Sequence, residues 1–373
     1  MKTLAKIPYV NLSQQHVAIK EELLQAVAKV IGHGNFILGE EVAEFEKQFA
    51  KLCGVKHAIG VNSGTDALMM ILRALDIGQG DEVITVSGSF VTTATSIVLV
   101  GAKPVFVDVG EDYNIDPARI EKVITQNTKA ILPVHLTGRP ADMDAIREIA
   151  QKYKLHILED CAQAVCAQYK NKSVGSFGAG GAFSLHPLKT LNACGDGGIL
   201  VTNDEKVNDM ARVLRDNGFR KRNDCIVWSN NSRLDSMQAA ILLVKMKYLQ
   251  QWTEKRRENA KIYQAKLKGL KHVQVPQDKS YEYAVYHTFV IQADDRDDLA
   301  KYLAEQGVDT RIHYPVPIHL QSVCKDFGFK EGSFPETEKQ MKRILSLPIY
   351  AELTEENLEY VTNCIHDFYQ KGK

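Results

Sequence analysis

Lys189 is the residue whose setting in this sequence most changes its chemistry. It ends the run Ala182-Phe183-Ser184-Leu185-His186-Pro187-Leu188-Lys189, and Gly195-Asp196-Gly197-Gly198 follows shortly, leading into the strand-like ILVTN. A lysine after a strand is ordinarily a solvated cation. Here apolar neighbours, and a glycine-rich turn that lets backbone come close to a ligand, argue for a desolvated amine. Such an amine has a lowered pKa and can form a Schiff base with an aldehyde. His186, a single histidine beside a proline, reads by itself as a structural neighbour. The GDGG run lacks the G-x-G-x-x-G spacing and leads into a strand, so it is not a dinucleotide-binding turn.

Two further segments carry groups that could work beside that amine. Asp160 lies in Glu159-Asp160-Cys161-Ala162-Gln163, at the end of the very apolar LHIL. A carboxylate at the carboxyl end of a buried strand sits where ligands bind in α/β sheets, and it stays ionised there only beside a cationic or protonated partner. A protonated pyridine nitrogen would serve; an acid capping the next element fits the same residues. Asn62-Ser63-Gly64-Thr65-Asp66-Ala67-Leu68 follows HAIGV and opens a helix with Leu68, Ile71, Leu72 and Leu75 at apolar spacing. Its small residues would leave first-turn N–H groups and the positive helix end free for a phosphate. Taken alone, an ordinary turn with Ser or Thr as the N-cap explains the segment better.

Bringing these segments together requires a sheet. HAIGV, DEVITV, KPVFVDV, KAILPV and LHILED are β-rich runs separated by helix-patterned stretches, one of them over 142–153 with Asp142 as N-cap. The alternation predicts a mostly parallel sheet covered by helices, with its chemistry in loops at the strands' carboxyl ends. After Asp204 the pattern turns helical, and 236–267 predicts one extended helix or two end to end. Beyond it, YAVYHTFVIQA and VDTRIHYPV read as strands flanking a helix over 296–306, and 354–369 reads as a closing helix. The expected division is a large α/β domain over 1–250 and a small α+β domain over 251–373.

Composition narrows the function. A chain of 373 residues exceeds one minimal core, and 46 basic against 46 acidic residues leave no positive field to gather nucleic acid or an anionic membrane. MKTLAKIPYVNLSQQ lacks the apolar core and cleavage site of a secretory signal, and 91–107 is broken by threonines, Lys103 and Pro104, so neither reads as a leader or a span. A cytoplasmic location is expected. Seven cysteines without a C-x-x-C pair argue against a disulfide framework and a zinc site.

In order and rough spacing, SGTDAL, EDCAQA, FSLHPLK and GDGG resemble the DegT/DnrJ/EryC1/StrS family of pyridoxal-phosphate-dependent sugar aminotransferases. The likeness spans essentially the whole chain, through Asn231-Ser232-Arg233-Leu234-Asp235 and His313-Tyr314-Pro315 to His319-Leu320-Gln321. It implies an α/β protein of fold type I (aspartate aminotransferase-like), with a large mixed, mostly parallel sheet of the seven-stranded type, a small C-terminal α+β domain and a homodimeric active site. It implies that Lys189 holds pyridoxal 5′-phosphate and later serves as general base, while Asp160 keeps the pyridine nitrogen protonated. Ser63, Gly64, Thr65 and Ser184 would bind the cofactor at its phosphate end, and Asn231 would reach that phosphate from the neighbouring subunit. Gln163 would lie by the ring hydroxyl. Phe90, in SFVTTAT, would stack on the ring, with a plain core phenylalanine as the competing reading. His186, Tyr314 and His319 are expected on the substrate side, and no metal is expected.

The reaction implied passes an amino group from an amino acid, L-glutamate in most of the family, through pyridoxamine 5′-phosphate to a ketone on a nucleotide-linked sugar. Some relatives carry His at the lysine position and dehydrate instead; Lys189 points to transfer. GDGG rather than GEGG resembles the branch acting at sugar C3 more than C4, and Asp216-Asn217-Gly218 departs from the Asn-His-Gly common in relatives. Envelope polysaccharide or a glycosylated natural product would suit as the pathway. Two other readings compete: a non-catalytic regulator, disfavoured by the zero net charge and the lack of a helix-turn-helix segment, and a lyase or dehydratase on the same cofactor, since fold does not fix reaction type. The HYP-x-P-x-HLQ segment favours a sugar.

Overall fold

The computed structural model of the protein describes residues 7–371; the first six residues of the stretch considered as a leader lie outside them. Its main sheet contains β1 (His57–Val61), β2 (Glu82–Val86), β3 (Lys103–Val107), β4 (Thr128–Ile131), β5 (His156–Asp160), β6 (Gly180–Ser184) and β7 (Gly198–Thr202). They lie in the order β1-β7-β6-β5-β4-β2-β3. Only β7 runs against its neighbours, pairing antiparallel with β1 and β6. Every residue of β2 and β7 is buried, as a sheet covered on both faces requires. The period-2 alternation divides the core accordingly. Ile59, Val61, Ala182 and Leu200 join one apolar cluster with Leu68, Ile71 and Leu72 of the Gly64–Ala74 helix, while Ala58, Phe183, Ile199 and Val201 join another with Phe45 and Phe49 of the Glu40–Cys53 helix.

A smaller α+β part has its own sheet of β8 (Val273–Gln274), β9 (Phe289–Ala293) and β10 (Ile344–Leu347), antiparallel in that order. Tyr263 from the Leu249–Leu267 helix, Leu299 from Arg296–Glu305, and Leu358 and Ile365 from Glu355–Lys371 pack with Phe289 and Leu345 in its core. Residue 250 falls in the first turn of Leu249–Leu267, and Glu282–Tyr283 pairs back onto Gln168–Tyr169. The helical run over 236–267 is two helices, Ser236–Met246 and Leu249–Leu267.

VDTRIHYPV departs from its expected strand. It makes only isolated bridges, Val308 to Ile7 and Arg311 to Ser346, and the sheet edge is taken by Ile344–Leu347. Pro315 within the segment and Pro317 just after it remove two N–H donors, and the segment leaves the ladder to bring His313 and Tyr314 to the cavity at the edge of the main sheet. Among the described residues no helix is long and apolar enough to cross a membrane.

Candidate active site

Strand pairing assembles the site. Because β7 runs antiparallel, its first residue Gly198 stands opposite both Val61 at the end of β1 and Ser184 at the end of β6, while Asp160 ends the adjacent β5. This edge opens into a cavity of about 390 Å³, within the range of small-molecule sites. Ser63, Gly64, Thr65, Phe90, Asp160, Gln163, Ser184, His186, Lys189 and Tyr314 all line it. Segments spread from Ser63 to Tyr314 of the sequence therefore face one space.

Lys189 sits on a tight turn, its N–H donating to the His186 carbonyl at 2.8 Å. Burial lowers its amine to about 8, and the nearby Asp160 charge opposes that shift. A usable fraction of neutral amine near physiological pH follows, the form that attacks a carbonyl or accepts a proton. Asp160 is only 5% exposed. Its Oδ2 accepts from Thr93 Oγ1 at 2.8 Å and its Oδ1 from the Ala162 N–H at 3.1 Å. Burial pushes its pKa up, and those hydrogen bonds together with Lys189 pull it back. A carboxyl so placed has a residual need for a cation.

The SGTDAL turn has the N-cap that its sequence allows, and it also faces the cavity. Ser63 is the N-cap of the Gly64–Ala74 helix, accepting from Asp66 N–H at 3.1 Å and donating to Asp66 Oδ2 at 2.8 Å. The hydroxyl of Ser63 is thus committed to the cap, while Gly64 and Thr65 contribute first-turn N–H groups, which no helix satisfies internally, to residues lining the cavity. Gly198 makes this approach feasible. A Cβ there would lie 2.2 Å from the Ser63 carbonyl carbon and 2.6 Å from Gly64 N. The glycine run expected to admit a ligand admits, at this position, the Ser63-Gly64 turn. Gly198→Ala should displace that turn, lowering the melting temperature by an amount consistent with overpacking of about 1–3 kcal/mol and weakening retention of pyridoxal phosphate; equilibrium dialysis of the variant checks the second effect.

Phe90 is 49% exposed, its ring 5.4 Å from that of Tyr314, which excludes the plain-core reading. Gln163 joins two walls, accepting from the Thr137 N–H at 2.7 Å and donating to Tyr314 Oη at 3.2 Å. Behind Asp160, the fully buried Glu159 accepts from the N–H groups of Gly175, Phe177 and Gly178 and pairs with His135 Nε2 at 3.0 Å. His135 Nδ1 accepts from Ala141 N–H, so its proton is on Nε2. His135, Glu159 and Cys161 lie close enough to resemble a metal cluster, but both imidazole nitrogens and the carboxylate are already engaged in fixing the strand that ends at Asp160.

Two expectations need correction or relocation. His319 does not line the cavity. It is buried, with Nδ1 on Ser87 Oγ at 2.9 Å, Nε2 on Glu338 Oε1 at 3.0 Å and Phe334 edge-on at 4.8 Å; both ring nitrogens are used in tying the Ser87 loop to the Pro335–Arg343 helix, leaving none for a substrate. Asn231 is exposed and outside the cavity of its own chain, in a bridge with Asp216. Asp216, part of the departing Asp-Asn-Gly, pairs with Arg233 at 2.6 Å. The sequence reading missed Thr93, Tyr9, His287, Thr288 and His313. Thr93 lies in the SFVTTAT segment from which only Phe90 was drawn. His287 and Thr288 also line the cavity, and the buried Nδ1 and Oγ1 atoms lack any partner among the described residues.

A carboxylate in need of a cation, an amine lowered toward neutrality, an open helix N-terminus and an exposed aromatic face fit the ring nitrogen, aldehyde, phosphate and ring of pyridoxal phosphate. With this sheet, they define a fold-type-I pyridoxal-phosphate-dependent aminotransferase. The chain belongs to the DegT/DnrJ/EryC1/StrS aminotransferase family, whose sequence model matches residues 17–366. It is 44% identical to the pleiotropic regulatory protein of Geobacillus stearothermophilus, covering 98% of this chain and 99% of that one. It is 39% identical to the dTDP-3-amino-3,4,6-trideoxy-alpha-D-glucose transaminase of Streptomyces venezuelae, over 98% and 97%. The crystal structure of S. venezuelae DesV superposes with a TM-score of 0.95 at 39% identity, covering 97% of this chain and 98% of the other.

Proposed function

We propose that this enzyme moves an amino group from L-glutamate to the C3 ketone of a nucleotide-linked deoxy-sugar, in the making of a polysaccharide or a glycosylated natural product. The observation that carries the reading is the placement of Lys189, Asp160 and the Gly64-Thr65 helix end around one cavity. Bound pyridoxal phosphate supplies an aldehyde that captures amines and a ring that withdraws electrons. Lys189 would hold that aldehyde, and its Nζ would take and return the proton at the substrate carbon bearing nitrogen. Asp160 holds a proton on the ring nitrogen, and Thr93 and the Ala162 N–H hold Asp160. Gly64, Thr65 and Ser184 bind the phosphate, with Ser63 shaping their turn. Phe90 would cover a ring face, at little entropic cost, and Gln163, which donates to Tyr314 Oη, would lie by the ring hydroxyl, with Tyr314 and His186 on the substrate side.

A second copy of the chain completes the site. Asn231 is exposed beyond its own cavity, and Phe36, Ile37, Leu38, Ile226 and Trp228 are large apolar side chains in water, Trp228 at 91%; a homodimer in which Asn231 meets the partner's phosphate would cover such residues. Seven free cysteines support a reducing, cytoplasmic setting. The C3 assignment rests on GDGG and on the S. venezuelae transaminase. A regulator is the second reading, because the Geobacillus relative bears that name.

An absorbance spectrum separates these readings. Adding L-glutamate without sugar should convert the lysine-bound cofactor to the amine form and release stoichiometric 2-oxoglutarate. An unchanged spectrum would exclude glutamate as donor, and a protein that retains no cofactor would favour the regulator.

A further inference from the structure

Lys245, on the Ser236–Met246 helix, is 0% exposed and has no carboxylate within ion-pair distance among the described residues. Removing a lysine from water without a counter-ion is costly, so its hydrogen bonds deserve a reason. Both go to one residue: Lys245 Nζ donates to the Asn192 carbonyl at 2.9 Å and to Asn192 Oδ1. Asn192, 2% exposed, then donates from Nδ2 to the Lys189 carbonyl at 2.9 Å and to Gln15 Oε1 at 3.3 Å. No other donor to the Lys189 carbonyl occurs among the described residues. One helical face supplies a second hold: Gln238, seven residues before Lys245 and hence on the same side, accepts from the Cys194 N–H at 2.8 Å and donates to the Cys194 carbonyl at 3.4 Å. The turn bearing Lys189 is therefore clamped from below at Asn192 and Cys194.

We infer that Lys245 and Asn192 are positioning residues for Lys189: the buried ammonium orients the Asn192 amide, and that amide fixes the backbone from which the Lys189 amine swings. The inference rests on the reading of Lys189 as the cofactor lysine. An amide is needed because it accepts from Lys245 and donates to Lys189 at once. Asn192→Asp separates those tasks, since a carboxylate keeps Lys245 paired but offers no N–H to the Lys189 carbonyl.

In the holoenzyme, Asn192→Asp should lower kcat by about 10–100-fold, the scale of a roughly 1 Å misplacement, with KM for both substrates and the melting temperature held. The pH at which the absorbance of the lysine-bound cofactor titrates should shift, because the amine's surroundings change. Lys245→Met should lower kcat similarly but also the melting temperature, as both Asn192 oxygens lose their donor. Wild-type kcat and an unmoved titration in Asn192→Asp would overturn the inference, as would a kcat loss that simply tracks a fall in melting temperature. Lys189→Ala, run alongside, tests the underlying reading: if it turns over normally, the role of Lys189 fails; if it is inactive while Asn192→Asp is normal, only the clamp fails.

Discussion

Lys189→Ala should give a folded protein that has lost covalent hold of pyridoxal phosphate and nearly all turnover. Positioned acid–base catalysis is worth about 10²–10⁴ in rate, and this substitution also removes the covalent anchor, so the loss should reach at least the upper end. The fold should survive, because the turn is held by backbone and Asn192 contacts that do not involve the amine. Truncation also removes a desolvated amine whose pKa burial has lowered to about 8, a group that favours the folded state least below that pH. Gel filtration with absorbance detection reads both outcomes at once. A visible lysine-linked cofactor band in Lys189→Ala would show that another amine holds the aldehyde.

Asp160→Asn comes second in size. The amide can still accept from Ala162 N–H and meet Thr93 Oγ1, preserving the local geometry, but it leaves the ring nitrogen without an anion. Removing one member of a buried charge pair costs about 3–5 kcal/mol, which corresponds to roughly 10²–10³ or more in rate if it falls on the transition state. Single-turnover measurement with saturating cofactor would show it, and a rate within a few-fold of wild type would remove Asp160 from the mechanism. The ligand-free protein should respond oppositely. A carboxyl whose pKa is raised on folding destabilises the native state as pH rises through the interval from its unfolded to its folded value. At neutral pH, Asp160→Asn should therefore raise the melting temperature of the cofactor-free chain.

How much of the site the sequence disclosed depends on what each residue's function required of its neighbours. Lys189, Asp160 and Gly64-Thr65 were legible because each sits beside a local mark: an apolar run that ends in a charge, or a small-residue turn between strand and helix. Thr93 left no such mark. Its hydroxyl acquires a role only because Asp160, 67 residues away, lies against it. The same is true of His287 and Thr288, which stand just before the strand Phe289–Ala293 and read from the sequence only as part of a strand-like run. His319 failed in the opposite direction: a histidine in a motif-bearing segment looked available, and the fold gave both its nitrogens to Ser87 and Glu338.

Strand patterning, the mostly parallel α/β class and the residue types of the site were set locally, by apolar runs and by turn chemistry that short stretches express unaided. VDTRIHYPV could not be placed that way, because whether an apolar segment joins a sheet or bends over a cavity depends on which other strand takes the edge, and Ile344–Leu347 took it. The meeting of β1, β5 and β6 at one edge likewise follows from the antiparallel β7 and from Gly198, whose missing side chain lets the Ser63-Gly64 turn settle against it. Sequence by itself determined which groups this protein has for its chemistry; tertiary structure decided which of them face one another, because long-range pairing and close packing, rather than local propensity, fix distances between residues far apart in the chain.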